Sequence, residues 1–238
     1  MPGYVIHLTE ARMVYDILGN SRQKISEKTC KRQDAFYYGS LLPDAGGKVQ
    51  KRISHFWNKT EYGQIIMTPD INRFLKKYSP FLKENSLYVG YLLHLYLDRE
   101  FWLRYIGKNV EFRNSVGEST DNIQDLKAVW IKKSNDIVTP EEFFSEDYLY
   151  GDYTKLNKMM IQKYQLVIPV YTQSYGNKIE DAANEKMKNV LEYLRQYIVN
   201  SPICPEEDKL RVITLDTFEA FLKDVAYEFV ELYYDYLK

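Results

Sequence analysis

One stretch of this 238-residue chain is apolar on every side of a predicted helix except at two positions. From Leu87 to Leu97 nearly every residue is leucine, tyrosine or valine, and His94 and Asp98 stand four residues apart. That spacing puts an imidazole and a carboxylate one turn apart on one face of a helix. A helix that is apolar all round is buried, and a buried carboxylate is costly unless it is paired or bound to a metal. The stretch therefore predicts a buried central helix that carries either a His–Asp hydrogen bond or a metal site.

The rest of the chain favours further helices packed around the central one. Thr9 is expected to cap a short first helix, with His7 just before it, and the segment Thr139-Pro140-Glu141-Glu142 is a capping box at the start of another helix. Apolar residues at helical spacing near residues 187–198 and 218–229 indicate two long final helices. One short element is expected at 126–131, and 166–171 reads as a strand or an extended loop. We predict an all-α (mainly α) helical bundle, with residues 1–106 as a metal-binding core and 107–238 as a helical extension packed on the same domain.

Two boundaries of the helix before the central one are also predicted. Thr68-Pro69-Asp70 combines a capping residue, a proline for the first turn and an early acid, which is typical of a helix start. Ser79-Pro80 is expected to end that helix, because proline lacks the backbone N–H.

Composition and charge exclude several classes of protein. The net charge is −1, from 32 basic and 33 acidic residues, so nothing indicates a nucleic-acid or anionic-membrane partner. Two cysteines, Cys30 and Cys204, make neither a disulfide framework nor a thiolate zinc site. No signal peptide and no apolar run of about 18 residues is present. We expect a cytoplasmic protein without a transmembrane segment, and the sequence leaves its oligomeric state open.

The histidines and two of the aspartates form a candidate ligand set in the first hundred residues. The set consists of His7, Asp44, His55, His94 and Asp98, and it contains every histidine of the chain. Imidazole and carboxylate ligands without a thiolate suit zinc, manganese or iron(II). Three members also have simpler interpretations: His7 could cap the first helix, Asp44 could close a turn after Pro43, and His55 could lie in a surface loop.

Four separated motifs follow one another in an order that resembles a known family. They are Met1-Pro2…His7, Phe36-Tyr-Tyr-Gly39-Ser-Leu-Leu-Pro43-Asp44, Ser54-His55-Phe56 and Gly90-Tyr-Leu-Leu-His94-Leu-Tyr-Leu-Asp98. This pattern resembles the zinc-dependent phospholipase C family, which includes single-strand nuclease-like metal phosphoesterases, and the resemblance covers residues 1–106. It implies an all-α bundle with metal in its core. It also implies a principal metal on Asp44, His55, His94 and Asp98, with His7 on a neighbouring metal bridged by Asp98.

The chain departs from the family at one position of the central helix. Many relatives carry another histidine four residues after the aspartate, where this chain has Trp102, and no histidine follows His94. The resemblance therefore implies one or two zinc ions, with manganese or iron as substitutes, rather than three.

A metal site of this kind favours hydrolysis of a phosphoester by metal-activated water. Asp44 is the predicted catalytic residue, since its carboxylate could orient that water or accept its proton. A small-molecule or lipid head-group phosphoester is the expected substrate, and Arg12, Lys51, Arg52 and Arg99 are candidates to hold its phosphate. The alternative is a non-catalytic helical interaction protein with a vestigial or structural metal site. HD-type metal sites are excluded, because no histidine is directly followed by an aspartate. Zincin-type sites are excluded, because the motif H-E-x-x-H does not occur.

Overall fold

The computed structural model describes residues 3–19, 27–175, 178–201 and 210–237, without the side chains of residues 27–31 and 48. Met1 and Pro2 of the family motif lie outside the described residues, as do Cys204 and the side chain of Cys30. The fold is mainly α, with 65% helix and 7% strand, which confirms the predicted fold class.

Helices make up most of the first half of the chain. In chain order they are α1 (Tyr4–Gly19), α2 (Glu27–Leu41), α3 (Gly47–Ser54), α4 (Ile71–Leu82) and α5 (Ser86–Glu100). A 3₁₀ turn, Leu42–Asp44, follows α2, and a second one is formed by Lys59–Glu61. The central helix continues beyond α5 as a π-helix, Phe101–Ile106.

The second half of the chain combines helices with a small sheet that the sequence did not predict in full. Its elements are α6 (Gly107–Asn109), β1 (Val110–Arg113), β2 (Ala128–Ile131), β3 (Asp136–Val138), α7 (Pro140–Phe143), α8 (Leu149–Lys163), α9 (Met187–Asn200) and α10 (Leu215–Leu237), with 3₁₀ turns at Gln173–Tyr175 and Asn184–Lys186. The three strands pair antiparallel in the order β1-β2-β3, with Val110 opposite Ile131 and Val129 opposite Val138. The short element expected at 126–131 is therefore strand β2, and 166–171 forms neither helix nor strand.

Two glycines let α2 and α5 cross with their backbones in close contact. A Cβ atom on Gly90 would lie 2.0 Å from the carbonyl oxygen of Phe36, and one on Gly39 would lie 2.1 Å from that of Leu87. Real Cβ atoms do not come so close to a carbonyl oxygen, so any larger residue at either position would push the helices apart. The close crossing brings the end of α2 to the middle of the buried central helix.

Helix boundaries near the N-terminus differ from the predictions. Helix α1 begins at Tyr4, so the prediction that Thr9 caps the first helix is wrong. Thr9 lies inside the helix, and its hydroxyl donates a hydrogen bond of 2.8 Å to the carbonyl oxygen of Val5. His7 consequently lies within α1 rather than before it, and it is buried.

The two predicted caps further along have different outcomes. A helix does follow Thr68-Pro69-Asp70, but it begins at Ile71: Asp70, not Thr68, is the cap, accepting a hydrogen bond from the Arg73 N–H at 2.9 Å, and Pro69 precedes the helix. The prediction that Pro80 ends this helix is wrong, because α4 continues to Leu82. The capping box before α7 is confirmed, with the Thr139 and Glu142 side chains each accepting from the other's backbone N–H.

The later helices cover the central one. Helix α10 packs against α1 and α5, and α8 packs against α1. Within the described ranges, no helix has both the length and the apolarity needed to cross a bilayer.

Candidate metal centre

The fold brings all five candidate ligands together from four parts of the chain. They are His7 in α1, Asp44 in the turn after α2, His55 directly after α3, and His94 and Asp98 in α5. Every one of these side chains is buried, and Asp44 is the most accessible at 9% exposure. The site is therefore a polar cluster enclosed by the helices rather than a surface group of charges.

His94 is oriented by a backbone carbonyl at the end of α2. Its Nδ1 lies 2.8 Å from the carbonyl oxygen of Ser40. Because a carbonyl oxygen only accepts hydrogen bonds, Nδ1 carries the hydrogen, and the neutral ring presents the lone pair of Nε2 to the cluster. A hydrogen bond of this kind on the outer nitrogen is the usual support of a metal-binding histidine.

His55 is held in a similar way by its chain neighbour. Its Nδ1 lies 3.0 Å from the hydroxyl oxygen of Ser54, which can either donate or accept. Its Nε2 lies 3.1 Å from Oδ2 of Asp98 and 3.2 Å from Nε2 of His94. The Ser54 hydroxyl suits both tautomers of His55, so the ring can give up the hydrogen on Nε2 without losing its outer partner.

The histidine nitrogens and the carboxylate oxygens lie at the separations found around a bound metal. Nε2 of His55 lies 3.4 Å and Nε2 of His94 lies 3.7 Å from Oδ1 of Asp44. The same two nitrogens lie 3.1 and 3.5 Å from Oδ2 of Asp98, and 3.2 Å from each other. Ligands bound tetrahedrally to zinc at about 2.1 Å are separated from one another by about 3.4 Å. These separations suit a zinc-sized cation, and two overlapping groups of three donors are close enough to hold one: His55, His94 and Asp98, and His7, Asp44 and His94.

His7 meets the other oxygen of Asp98. Its Nε2 lies 3.4 Å from Oδ1 of Asp98, and its ring stacks on that of His94 at 3.6 Å between centroids. Among the described residues, neither ring nitrogen of His7 has a hydrogen-bond partner, and Oδ1 of Asp98 has none either. Buried polar atoms without partners are rare in proteins, and a cation would satisfy these. Asp98 directs its two oxygens to different histidines, as a carboxylate that bridges two ions must.

The electrostatics of the cluster favour the protonation states that metal ligands need. Burial and the neighbouring His94 lower the pKa of His7 to about 4, and burial lowers the pKa of His55 despite its hydrogen bond with Asp98. Burial alone would raise the pKa of Asp44, but His94 and Lys51 lower it below its usual value. The pKa of Asp98 is held well below its usual value against burial, by His94 and by the hydrogen bond with His55. Ionised carboxylates beside the neutral imidazoles of His7 and His55 are ready to bind a cation.

One of the four cations proposed to hold a phosphate belongs to the cluster. The Lys51 ammonium lies 2.7 Å from Oδ1 of Asp44 and forms an ion pair with it, although the geometry is not that of a hydrogen bond. Its side chain is 20% exposed, so it lies where the cluster comes nearest to solvent. The other three cations have different neighbours: Arg12 pairs with Asp16, Arg99 pairs with Glu100, and Arg52 lies over the ring of Tyr62.

Sequence reasoning missed two groups that bear on the site. The orienting roles of Ser40 and Ser54 carry no sequence signal beyond a serine beside an apolar run. Glu10 was also missed, although it stands three residues after His7 in an apolar stretch, which is the type of signal that identified His94 and Asp98. Glu10 is fully buried, neither of its oxygens has a hydrogen-bond partner, and burial raises its pKa well above the usual value.

Comparison with known proteins adds nothing to this geometry: no family model matches the chain, and neither a curated protein nor a solved structure matches it. The resemblance to zinc-dependent phospholipases C therefore stays a prediction that rests on the four motifs.

Proposed function

We propose that the protein is a metal-dependent hydrolase of phosphoesters, with the resident metal held by Asp44, His55, His94 and Asp98. The observation that carries the proposal is that the Nε2 atoms of His55 and His94 lie 3.1 to 3.7 Å from oxygens of Asp44 and Asp98 and from each other. Zinc is the proposed metal, because two imidazoles and two carboxylates suit it, and manganese or iron(II) are substitutes. The motif resemblance supports the same reaction type.

The residues of the cluster divide the work of such a reaction. A bound zinc ion would lower the pKa of a water molecule and neutralise charge that develops on a phosphoryl oxygen. Asp44 is the ligand nearest to solvent, and the carboxylate oxygen that it does not give to the metal can orient the attacking water and accept its proton. Lys51, beside Asp44, would attract the phosphate and hold one of its oxygens by charge.

A second metal ion beside the first is part of the proposal. His7 and Oδ1 of Asp98 are the donors that remain once four ligand atoms hold the principal ion. One carboxylate can bridge two cations about 4 Å apart, as in many phosphoesterases. The proposed substrates are small-molecule or lipid head-group phosphoesters. This class follows from the proposed reaction and not from any contact in the structure.

A different function is favoured by one specific observation. His55, His94 and Asp98 have no exposed surface, and a buried four-ligand zinc site is typical of a structural role. In that case the metal would brace the core of a non-catalytic interaction protein. The two extra donors, His7 and the second oxygen of Asp98, support hydrolysis over this alternative, because a closed structural site leaves no donor unused.

An Asp44→Asn variant tests the proposed function. Asparagine keeps an oxygen ligand but loses the base, so we expect partial metal retention and a loss of about a hundredfold or more in hydrolysis of bis(4-nitrophenyl) phosphate. Metal content is measured by elemental analysis of each protein, and Asp147→Asn, an exposed aspartate, is the matched control.

Two results would reject the proposal. Full activity in metal-loaded Asp44→Asn protein removes the catalytic role of Asp44. Stoichiometric metal in the wild-type protein without hydrolysis of any phosphoester tested favours the structural alternative.

A further inference from the structure

A small pocket borders the segment that follows His55, and none of the five metal ligands lines it. Its volume is about 150 Å³, enough for a tetrahedral oxyanion but too small for a whole nucleotide. Three cations and three aromatic side chains dominate its walls: Arg52, Lys59 and Arg73, with Phe56, Trp57 and Tyr62.

The charge of this pocket is uncompensated. In the described part of the chain, no carboxylate pairs with any of its three cations. The acid that lines it, Asp181, is bound on its Oδ2 by the Lys77 ammonium at 2.7 Å and by the Tyr78 hydroxyl at 2.8 Å. Because the charge of Asp181 is already paired, the pocket as a whole attracts anions.

Two further groups are suited to an anionic ligand. The indole N–H of Trp57 is buried and has no acceptor among the described residues. The guanidinium of Arg52 lies 5.1 Å above the ring of Tyr62, a stacking that leaves its N–H edges free to donate. An oxyanion in the pocket could accept from these donors, whereas a cation or a neutral apolar group could not.

The backbone beside the pocket is strained. Phe56 has a φ of 56°, in the left-handed region that a bulky residue rarely adopts. Its ring is 3% exposed and packs against those of Phe74 and Tyr91, which hold it in place. The turn at Phe56 separates His55, in the metal cluster, from Trp57, in the pocket, with their rings 6.0 Å apart. Strain of this kind tends to persist where it positions functional groups.

We propose that this pocket binds a phosphate group that is attached to an apolar or aromatic substituent. The three cations and the Trp57 N–H receive the phosphate, and the ring of Tyr62, which is 42% exposed, contacts the substituent. The proposal rests on the pocket alone and does not require the hydrolase function or a bound metal.

Calorimetric titration of the full-length, chelator-treated protein tests the proposal. Phenyl phosphate should bind saturably and more tightly than inorganic phosphate, while phenol should not bind. Arg73→Gln should weaken phenyl phosphate binding about tenfold, because a charged donor is lost. Lys76→Gln is the matched control, since it removes an exposed cation one turn further along α4 that does not line the pocket, and its effect should stay below about twofold.

The outcomes separate this site from the metal centre. Trp57→Phe, which keeps an aromatic ring and removes the N–H, should weaken binding about threefold and serves if Arg73→Gln is poorly folded. If Arg73→Gln and Lys76→Gln weaken phenyl phosphate binding equally, the ligand is attracted by the general positive charge of the surface, and the proposal is overturned. So would binding that requires added zinc, because the phosphate would then lie at the metal centre.

Discussion

Two aspartates, Asp98 and Asp152, are both fully buried, yet their surroundings differ in kind. Asp152, in the first turn of α8, accepts hydrogen bonds from three successive backbone N–H groups, those of residues 211 to 213, at 2.7 to 2.8 Å. Asp98 faces three histidines, and its Oδ1 has no hydrogen-bond partner in the described ranges of the chain. Both oxygens of Asp152 accept hydrogen bonds from the backbone. Oδ1 of Asp98 accepts none from the described residues and is available to a bound cation.

The type of partner distinguishes a structural carboxylate from a candidate metal ligand in this protein. Asp152 joins the start of α8 to the segment that leads into α10, and three donors stabilise its charge. Asp98 would be an expensive way to hold α5 in place, because unpaired buried polar atoms lower stability. Its position is explained if a cation completes the cluster.

The largest effect is expected from Asp152→Ala. The change leaves three backbone N–H groups without their acceptor, so the free energy of unfolding should fall by about 4 kcal/mol. Urea denaturation measures the loss, with Asp147→Ala as the control for an exposed aspartate of the same region. The metal bound per folded chain should not change, and a loss of metal in this variant would break the proposed contrast.

Asp98→Asn should have a small effect on the stability of the metal-free protein and a large effect on its stabilisation by zinc. With a chelator present, the variant should lose less stability than Asp152→Ala, because the amide oxygen can still accept from His55 and only the charge interactions that lower the pKa of Asp98 are lost. With zinc at about a thousandfold over its dissociation constant, the wild-type protein should gain about 4 kcal/mol, and Asp98→Asn far less. Melting curves with and without zinc measure both effects. If zinc stabilises Asp98→Asn as much as the wild-type protein, Asp98 is not a ligand.

A third buried carboxyl group, that of Glu10, has no hydrogen-bond partner among the described residues, and Glu10→Gln tests its role. Burial raises the pKa of Glu10 in the folded protein above its unfolded value near 4.5, so its contribution to stability is present at low pH and lost as the pH rises. Glutamine cannot ionise, and the variant should be more stable than the wild-type protein by about 1 kcal/mol at pH 8 and nearly equal at pH 4.5. Urea denaturation at both pH values measures the difference. An equal effect at both would mean that Glu10 does not titrate abnormally.

Local signals in the sequence were enough for the central helix and poor for the elements around it. The apolar run around His94 and Asp98 predicted a buried helix, since burial on all sides leaves a pattern within one segment. Strands β1 and β3 were missed because each has three or four residues and lies in a polar region, so alternation is too short to recognise. The start of α1 was misplaced because Thr9 resembles a capping residue, but it bonds back to the Val5 carbonyl within the helix.

The candidate ligands could be named from the sequence because their side-chain types are read directly from it, and the i, i+4 relation of His94 to Asp98 follows from their spacing within one helix. Which of these side chains lie in contact depends on the tertiary structure. The close crossing at Gly39 and Gly90 brings the Ser40 carbonyl to His94 and so selects the tautomer of its ring. Distances between residues far apart in the chain depend on how helices pack, and packing is a sum over many contacts that no short motif contains.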